Sequence, residues 1–257
     1  MGTQAALGRS GIEIQATMME FLGIHPVDVS NQIVSRDRYA EYFMLLANVA
    51  TTLDKIGVEV RLMQRSEIGE LAEAFGKKQV GSSTMPHKRN PIKSEQVCGL
   101  ARIVRSAVEP ALLNNVLWDE RDLTNSSPER VIFPEASVLT DHILKVMIGV
   151  MEGLEFNREN IRKNLMLLRG VNLAESVMID LTRRGMNRQE AHEMMRTASM
   201  QALAEGRDLA AVLSERPGVT EFVTREDLDR LLDPDAYIGT AVLQVERLIE
   251  KLQPLCR

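Results

Sequence analysis

The segment from Arg36 to Phe75 constrains the fold of this chain more than any other stretch of its 257 residues. Its apolar residues recur at intervals of three and four over about 40 positions, which predicts one amphipathic helix about 60 Å long. A helix of that length cannot bury its apolar face against short neighbours. The segment therefore predicts a bundle of long helices, to which other chains can contribute partners.

The remaining apolar patterns are also helical. Ile12–Leu22 predicts a helix that ends at Gly23, and Lys93–Leu113 predicts a second. Pro134–Leu154 predicts another long helix, and Pro128–Phe133 before it predicts a short turn, because a proline breaks the helical hydrogen-bond ladder. Aromatic residues are only 4% of the chain, whereas methionine occurs 14 times, a mixture that favours helix packing over sheets. We predict an all-α fold.

Near Phe156 the predicted helices become shorter, and their ends carry clearer capping and turn signals. Asn187 and Thr224 are each followed three residues later by an acidic residue, a pattern typical of capped helix starts. We predict two domains. Residues 1–155 form a central bundle of long helices that is truncated on its N-terminal side, and residues 156–257 form a small helical domain.

Composition and charge argue against several classes of function. The net charge of −5 and the lack of a basic stripe argue against nucleic acid as a partner. No apolar run is long enough for a membrane span, and no signal peptide is visible, so a cytoplasmic location is expected. Cys98 and Cys256 match no metal or redox spacing. We therefore expect no metal and no membrane partner.

Residues 76–91 (GKKQVGSSTMPHKRNP) predict a long loop between two helices. Gly81 permits a close backbone approach to a ligand, the hydroxyls and backbone N–H groups beside it suit a carboxylate, and Lys88 and Arg89 add positive charge. Glu95 can orient one of these groups from the next helix. On composition alone, a solvated basic loop explains the segment better than a site does.

The order of the residues changes this interpretation. GSSTMPHKRNPIKSE resembles the signature GSSxMPxKxNxxxxE of the fumarase/aspartase superfamily, in the form seen in adenylosuccinate lyases and in some cycloisomerases. The resemblance implies an elimination in which a base removes a proton beside a carboxylate and preorganised donors stabilise the dianion. It implies Ser82 as the base, with Ser83 as the alternative. Lys88 and Asn90 would polarise substrate carboxylates, and Glu95 would support the site.

A second segment, residues 118–130 (WDERDLTNSSPER), predicts a helix start with Ser127 as the N-cap and Pro128 as the first helical residue. Such a start can bind a phosphate, and Arg121 and Arg130 could clamp it. Ion pairs of these arginines with Asp122 or Glu129 explain the residues equally well. The segment resembles the phosphate-binding stretch ERD-x-x-x-SS-x-ER of adenylosuccinate lyases, which implies Arg121, Ser126 and Arg130 as phosphate ligands.

Residues 29–38 resemble the S-x-Q…RDR stretch of the same family, in which the glutamine contacts substrate. This implies Gln32 as a substrate ligand, although a polar residue before a helix is nearly as good an explanation. Arg36, Asp37 and Arg38 are interpreted as surface or interface charges.

The resemblance implies a carbon–nitrogen lyase of the amidine-lyase type. Such an enzyme eliminates fumarate from adenylosuccinate, giving AMP, and from the succinylated aminoimidazole carboxamide ribotide. The family is tetrameric, requires no cofactor, and carries its general acid on a histidine motif in an N-terminal part. The four histidines here do not occur in such a motif. We therefore expect a homotetramer, or a complement with a separate N-terminal half. The alternatives to this function are another lyase of the superfamily, a carboxymuconate-type cycloisomerase, or a catalytically silent helical subunit.

Overall fold

The computed structural model describes residues 2–74 and 89–256, and the chain forms two compact units, Met1–Asn157 and Arg158–Arg257. The first unit contains α1 (Arg9–Leu22), α2 (Asp37–Met63), α3 (Ile92–Ser106), α4 (Val108–Leu113) and α5 (Ser126–Glu152). Two strands of two residues each, β1 (Leu71–Ala72) and β2 (Glu155–Phe156), pair antiparallel beside these helices. The prediction of an all-α fold is confirmed.

The core of the first unit lies where α2, α3 and α5 pack together. Buried apolar side chains of all three helices meet there: Ala50, Leu53, Val60, Val97, Ala101, Val104, Ile143, Met147 and Val150. Gly57 allows the close approach of α2 to α3, because a Cβ at that position would lie 2.8 Å from the Cys98 Sγ. An ion pair of 2.9 Å between Asp54 and Arg105 joins the same two helices.

The predicted helix from Arg36 to Phe75 is wrong at its C-terminal end, because α2 ends at Met63. Beyond it the chain turns, and the N–H groups of Ile68 and Gly69 both donate to the Arg65 carbonyl. Leu71 still packs against the core, but from the short strand β1. The apolar spacing typical of a helix therefore continues beyond the end of α2, through a turn without a proline to mark it. At 27 residues, α2 is about 40 Å long rather than 60 Å.

The start of the second long helix was also predicted wrongly. α5 begins at Ser126, so that residues 128–133 are helical and Pro134 lies inside the helix. Pro128 falls in the first turn, where a backbone N–H has no helical partner in any case. Beside Pro134, the Phe133 ring lies 4.7 Å from the Phe43 ring and 5.1 Å from the Tyr39 ring. This packing against α2 offsets the hydrogen bond that Pro134 cannot donate.

The second unit is a separate cluster of shorter helices. These are α6 (Arg158–Leu165), α7 (Ala174–Arg183), α8 (Arg188–Glu205), α9 (Leu209–Ser214), α10 (Pro217–Thr220), α11 (Arg225–Leu231) and α12 (Ala241–Leu252). Thr224 and Asp227 form the predicted capping box, and the Asn187 side chain accepts from the N–H groups of Gln189 and Glu190. Within the described part of the chain, no helix is both long and apolar enough to cross a membrane.

Candidate active site

Two of the four predicted catalytic residues lie at one cleft. Asn90 and Glu95 line a cavity of about 720 Å³ together with the last turns of α2 and the residues that follow it. Asn90 is partly buried just before α3, and Glu95 is exposed in the first turn of that helix. The other two, Ser82 and Lys88, lie outside the described residues, as does the alternative base Ser83.

The cleft carries more positive charge than the sequence interpretation recognised. Arg61, Arg65 and Arg89 line it, together with the carboxylates of Glu67 and Glu95. Arg61 lies in the last turn of α2, whereas Arg65 lies in the turn that follows this helix. Their spacing of four residues was the available signal, but the segment was interpreted only by its apolar pattern. Arg65 lies 3.9 Å from the Glu67 carboxylate and Arg89 lies 3.9 Å from the Glu155 carboxylate, both in exposed pairs. Guanidinium groups around one cavity suit a substrate with carboxylates, which can compete for such exposed pairs.

Hydrogen bonds through two side chains hold the chain around this cleft. The Gln64 Nε2 donates to the Arg89 carbonyl (3.0 Å), and the Gln64 Oε1 accepts from the Glu73 N–H (3.0 Å). The buried Glu73 carboxylate accepts in turn from the backbone N–H groups of Lys93 (3.2 Å) and Ser94 (2.7 Å) at the start of α3. Neither Gln64 nor Glu73 was identified from the sequence.

The predicted phosphate segment leads into the N-terminus of α5. Ser126 is the first residue of α5 and Arg130 lies one turn later on the same face, while Asn125 rather than Ser127 is the N-cap residue. Asp122 shapes the turn before the helix by accepting from the N–H groups of Trp118 and Thr124, both at 2.8 Å, and from the Thr124 hydroxyl. These bonds, that of the Thr124 hydroxyl first, lower the pKa of Asp122.

The ion pairs considered for the two arginines do not form. Asp122 is engaged with backbone groups, and Glu129 pairs with Arg36. Among residues 2–74 and 89–256, neither Arg121 nor Arg130 has a carboxylate within ion-pair distance, and both are exposed. Arg130 in the first turns of α5, and Arg121 shortly before that helix in the chain, thus have no carboxylate partner in the part of the chain that the structure describes, which leaves them available to an anion.

Of the two sequence-based interpretations of Arg36, a surface or an interface charge, the structure excludes the first. Its Nε lies 2.8 Å from the Glu129 Oε1, the two side chains are only 12% and 15% exposed, and its Nη1 donates to the Val34 carbonyl. This pair joins the Gln32 segment to the first turn of α5. A cavity of about 280 Å³ lies between residues 29–36 and 115–120, lined by both neighbours of Gln32, which is itself exposed.

The structure does not bring all the candidate residues together within one chain. Asn90 and Glu95 lie at the C-terminal end of α2, whereas Arg36, which is bonded to the phosphate segment, lies at its N-terminal end. The 27 residues of α2 separate these two groups by about 40 Å. That distance is far longer than any nucleotide could bridge.

Known protein families match both units of the chain. The family model described as "Lyase" matches residues 9–105, and that described as "Adenylosuccinate lyase C-terminus" matches residues 170–248. The solved structure of a 3-carboxy-cis,cis-muconate lactonizing enzyme from Pseudomonas putida matches with a TM-score of 0.84 and 32% identity, over 100% of this chain and 56% of that one. Fold and sequence thus define the class as the lyases of the fumarase/aspartase superfamily.

Curated relatives narrow the class. Adenylosuccinate lyases from Pyrococcus horikoshii and Methanothermobacter thermautotrophicus are 54% and 52% identical over 257 and 254 residues, which is 100% and 98% of this chain. The chain belongs to the adenylosuccinate lyase family. It spans 57% of the length of each of these two relatives.

Proposed function

We propose that the chain is part of an adenylosuccinate lyase of the amidine-lyase type. Its substrates would be adenylosuccinate, giving AMP and fumarate, and the succinylated aminoimidazole carboxamide ribotide. The observation that carries the proposal is the state of Arg121 and Arg130, which lack ion-pair partners among the described residues and flank the N-terminus of α5. Such a pair suits a substrate with a phosphate group, and a carboxymuconate substrate has none.

The chemistry would take place at the cleft on α3. In this proposal Ser82 removes the proton from the carbon beside a substrate carboxylate, and Lys88 and Asn90 stabilise the negative charge that develops there. Glu95 supports the site, and the bond from carbon to the purine-side nitrogen then breaks to release fumarate. The general acid that protonates this nitrogen comes from the part of the relatives that this chain does not span.

The separation of the two groups along α2 supports an oligomer. If one chain supplies the cleft, the phosphate ligands Arg121, Ser126 and Arg130 would come from another chain, with the N-terminal end of its α2 beside that cleft. A homotetramer satisfies this requirement, and so does assembly with a separately encoded remainder of the enzyme. We propose a cytoplasmic enzyme, with no nucleic acid or membrane as partner.

The test is an absorbance assay of adenylosuccinate loss, with product identification by chromatography. The chain is assayed alone and with the remaining part of an adenylosuccinate lyase supplied as a separate polypeptide, and that part alone is the control. Formation of AMP and fumarate by the chain or by the mixture supports the proposal. Turnover of 3-carboxy-cis,cis-muconate instead would favour the cycloisomerase. A folded but inactive mixture would favour the silent helical subunit.

Replacing Arg130 with Ala is expected to raise the KM for adenylosuccinate about tenfold, the effect of losing one charge-assisted hydrogen bond. The same variant should leave the KM of the dephosphorylated nucleoside unchanged, because that substrate has nothing for Arg130 to bind. Lys145→Ala, which removes an exposed cation from the same helix, is the matched control. An equal effect on nucleotide and nucleoside would contradict a phosphate-binding role for Arg130.

A further inference from the structure

We propose, on the basis of the proposed function, that Gln64 and Glu73 are positioning residues for the elimination. Neither residue is among those implied by the signature sequence. Together they connect the end of α2, the strand β1 and the start of α3, and so fix the backbone that carries Asn90 and Glu95.

Gln64 connects two pieces of chain that are 16 residues apart in sequence, Glu73 and Arg89. One amide side chain uses both of its functions to do so, the Nε2 as donor and the Oε1 as acceptor, so that neither contact can shift without straining the other. Its own backbone is fixed, because its N–H donates to the Val60 carbonyl at the end of α2. Asn90 directly follows the carbonyl that Gln64 holds. The position of Asn90 at the cleft is thereby tied to α2.

Glu73 fixes the position of Glu95, as Gln64 fixes that of Asn90. Glu73 is only 7% exposed, and its carboxylate caps the second and third residues of α3, where free N–H groups and the helix dipole favour a negative charge. Pro91, the N-cap residue itself, makes no side-chain cap. The side-chain cap of α3 therefore comes from Glu73, about 20 residues earlier in the chain. Glu95 lies in the turn that this carboxylate holds.

The arrangement explains why these two residues would affect the reaction and not only stability. A donor that polarises a carboxylate must be in place before the charge develops, and displacements of about 1 Å can lower the rate by as much as a hundredfold. Backbone atoms on both sides of Asn90 are constrained, at Arg89 by Gln64 and at Lys93 and Ser94 by Glu73. Releasing either constraint should lower kcat more than it raises KM.

The experiment combines amide hydrogen exchange with kinetics on the full chain in its active assembly. Glu73→Gln keeps the shape of the side chain but removes the charge and turns one acceptor into a donor that faces an N–H. It is expected to speed exchange at Lys93 and Ser94 about fivefold or more, the factor for one hydrogen bond of ordinary strength. Gln64→Glu removes the donor to the Arg89 carbonyl and keeps the acceptor for the Glu73 N–H. It should therefore lower kcat while exchange at Glu73 stays slow.

Glu59→Gln, an exposed change on α2, is the control and should alter neither measurement. For both variants we expect kcat to fall on the order of tenfold. For Glu73→Gln the change in KM should be less than about twofold, whereas Gln64→Glu adds a negative charge to the lining of the cleft and should raise KM as well. Unchanged exchange at Lys93 and Ser94 in Glu73→Gln would overturn the proposal, and so would faster exchange with an unchanged kcat. If exchange increases but the unmodified assembly does not cleave adenylosuccinate, the result supports the role of Gln64 and Glu73 in fixing the backbone, and the proposed substrate is what fails.

Discussion

Replacing Asn90 with Ala should lower kcat for adenylosuccinate by about a hundredfold to a thousandfold, the usual loss when one preorganised donor to a developing negative charge is removed. Asn90 lines the cleft beside Glu95 and three arginines. The described structure shows no side-chain hydrogen bond of Asn90 to another described residue, so its amide is available to a substrate. The fold should therefore be unaffected, and thermal unfolding of the variant should match that of the unmodified chain.

The matched control is Asn48→Ala, which removes an exposed amide from α2. It should leave kcat unchanged. Asn90→Asp sharpens the test, because it conserves size but places a negative charge where the substrate carboxylate is expected. An Asn90→Asp variant that retained full activity would exclude Asn90 from carboxylate binding. Ser82→Ala in the same assay tests the proposed base, for which the signature match is the only argument.

Replacing Arg36 with Ala should destabilise the chain by about 3 kcal/mol, as expected when one partner of a buried ion pair is removed and the other is left without its countercharge. The Glu129 carboxylate would keep only the amide of Asn125, which donates to it at 3.1 Å. The cation–π contact of the Arg36 guanidinium with the Tyr39 ring, at 4.8 Å, would be lost as well. Urea unfolding followed by circular dichroism measures the change.

Two further variants distinguish the loss of the Arg36–Glu129 ion pair from an unspecific loss of stability. Lys145→Ala removes an exposed pair from the same unit and should cost no more than about 0.5 kcal/mol. Adding Glu129→Gln to Arg36→Ala should restore part of the lost stability, because no unpaired charge then remains buried. If the double variant is as unstable as the sum of the two single variants, the pair has no coupling and this interpretation of Arg36 is wrong.

The sequence predicted the helical class, the end of α1 at Gly23 and the capping box at Thr224 and Asp227, because each depends on local patterns of a few residues. The prediction failed at the end of α2 and at the start of α5, where contacts between residues far apart in sequence determine the structure. The turn after Met63 is held in part by Gln64, which bonds to groups 9 and 25 residues away. Pro134 is tolerated in α5 because Phe133 packs on α2, 90 residues earlier in the chain. Neither contact leaves a trace in local periodicity.

The candidate site shows the same division. The resemblance to the family signatures proposed Asn90, Glu95, Arg121, Ser126 and Arg130 as site residues. It could not show that Glu129 would turn to Arg36 and leave Arg121 and Arg130 without a carboxylate partner in the described part of the chain. From the sequence, ion pairs of these two arginines with Asp122 or Glu129 were as plausible as a phosphate site. Only the packing of the Gln32 segment against α5 decides between them.

The length of α2 has a genetic consequence. If each active site takes its cleft from one chain and its phosphate ligands from another, a chain inactivated at Asn90 and a chain inactivated at Arg121 and Arg130 carry defects in different halves of a site. Oligomers that contain both chains would then include some sites in which both halves are intact. Co-expression of the two inactive variants should recover measurable activity, whereas mixing the two purified and stably assembled proteins without subunit exchange should not. Two alleles that each fail alone could thus support growth together.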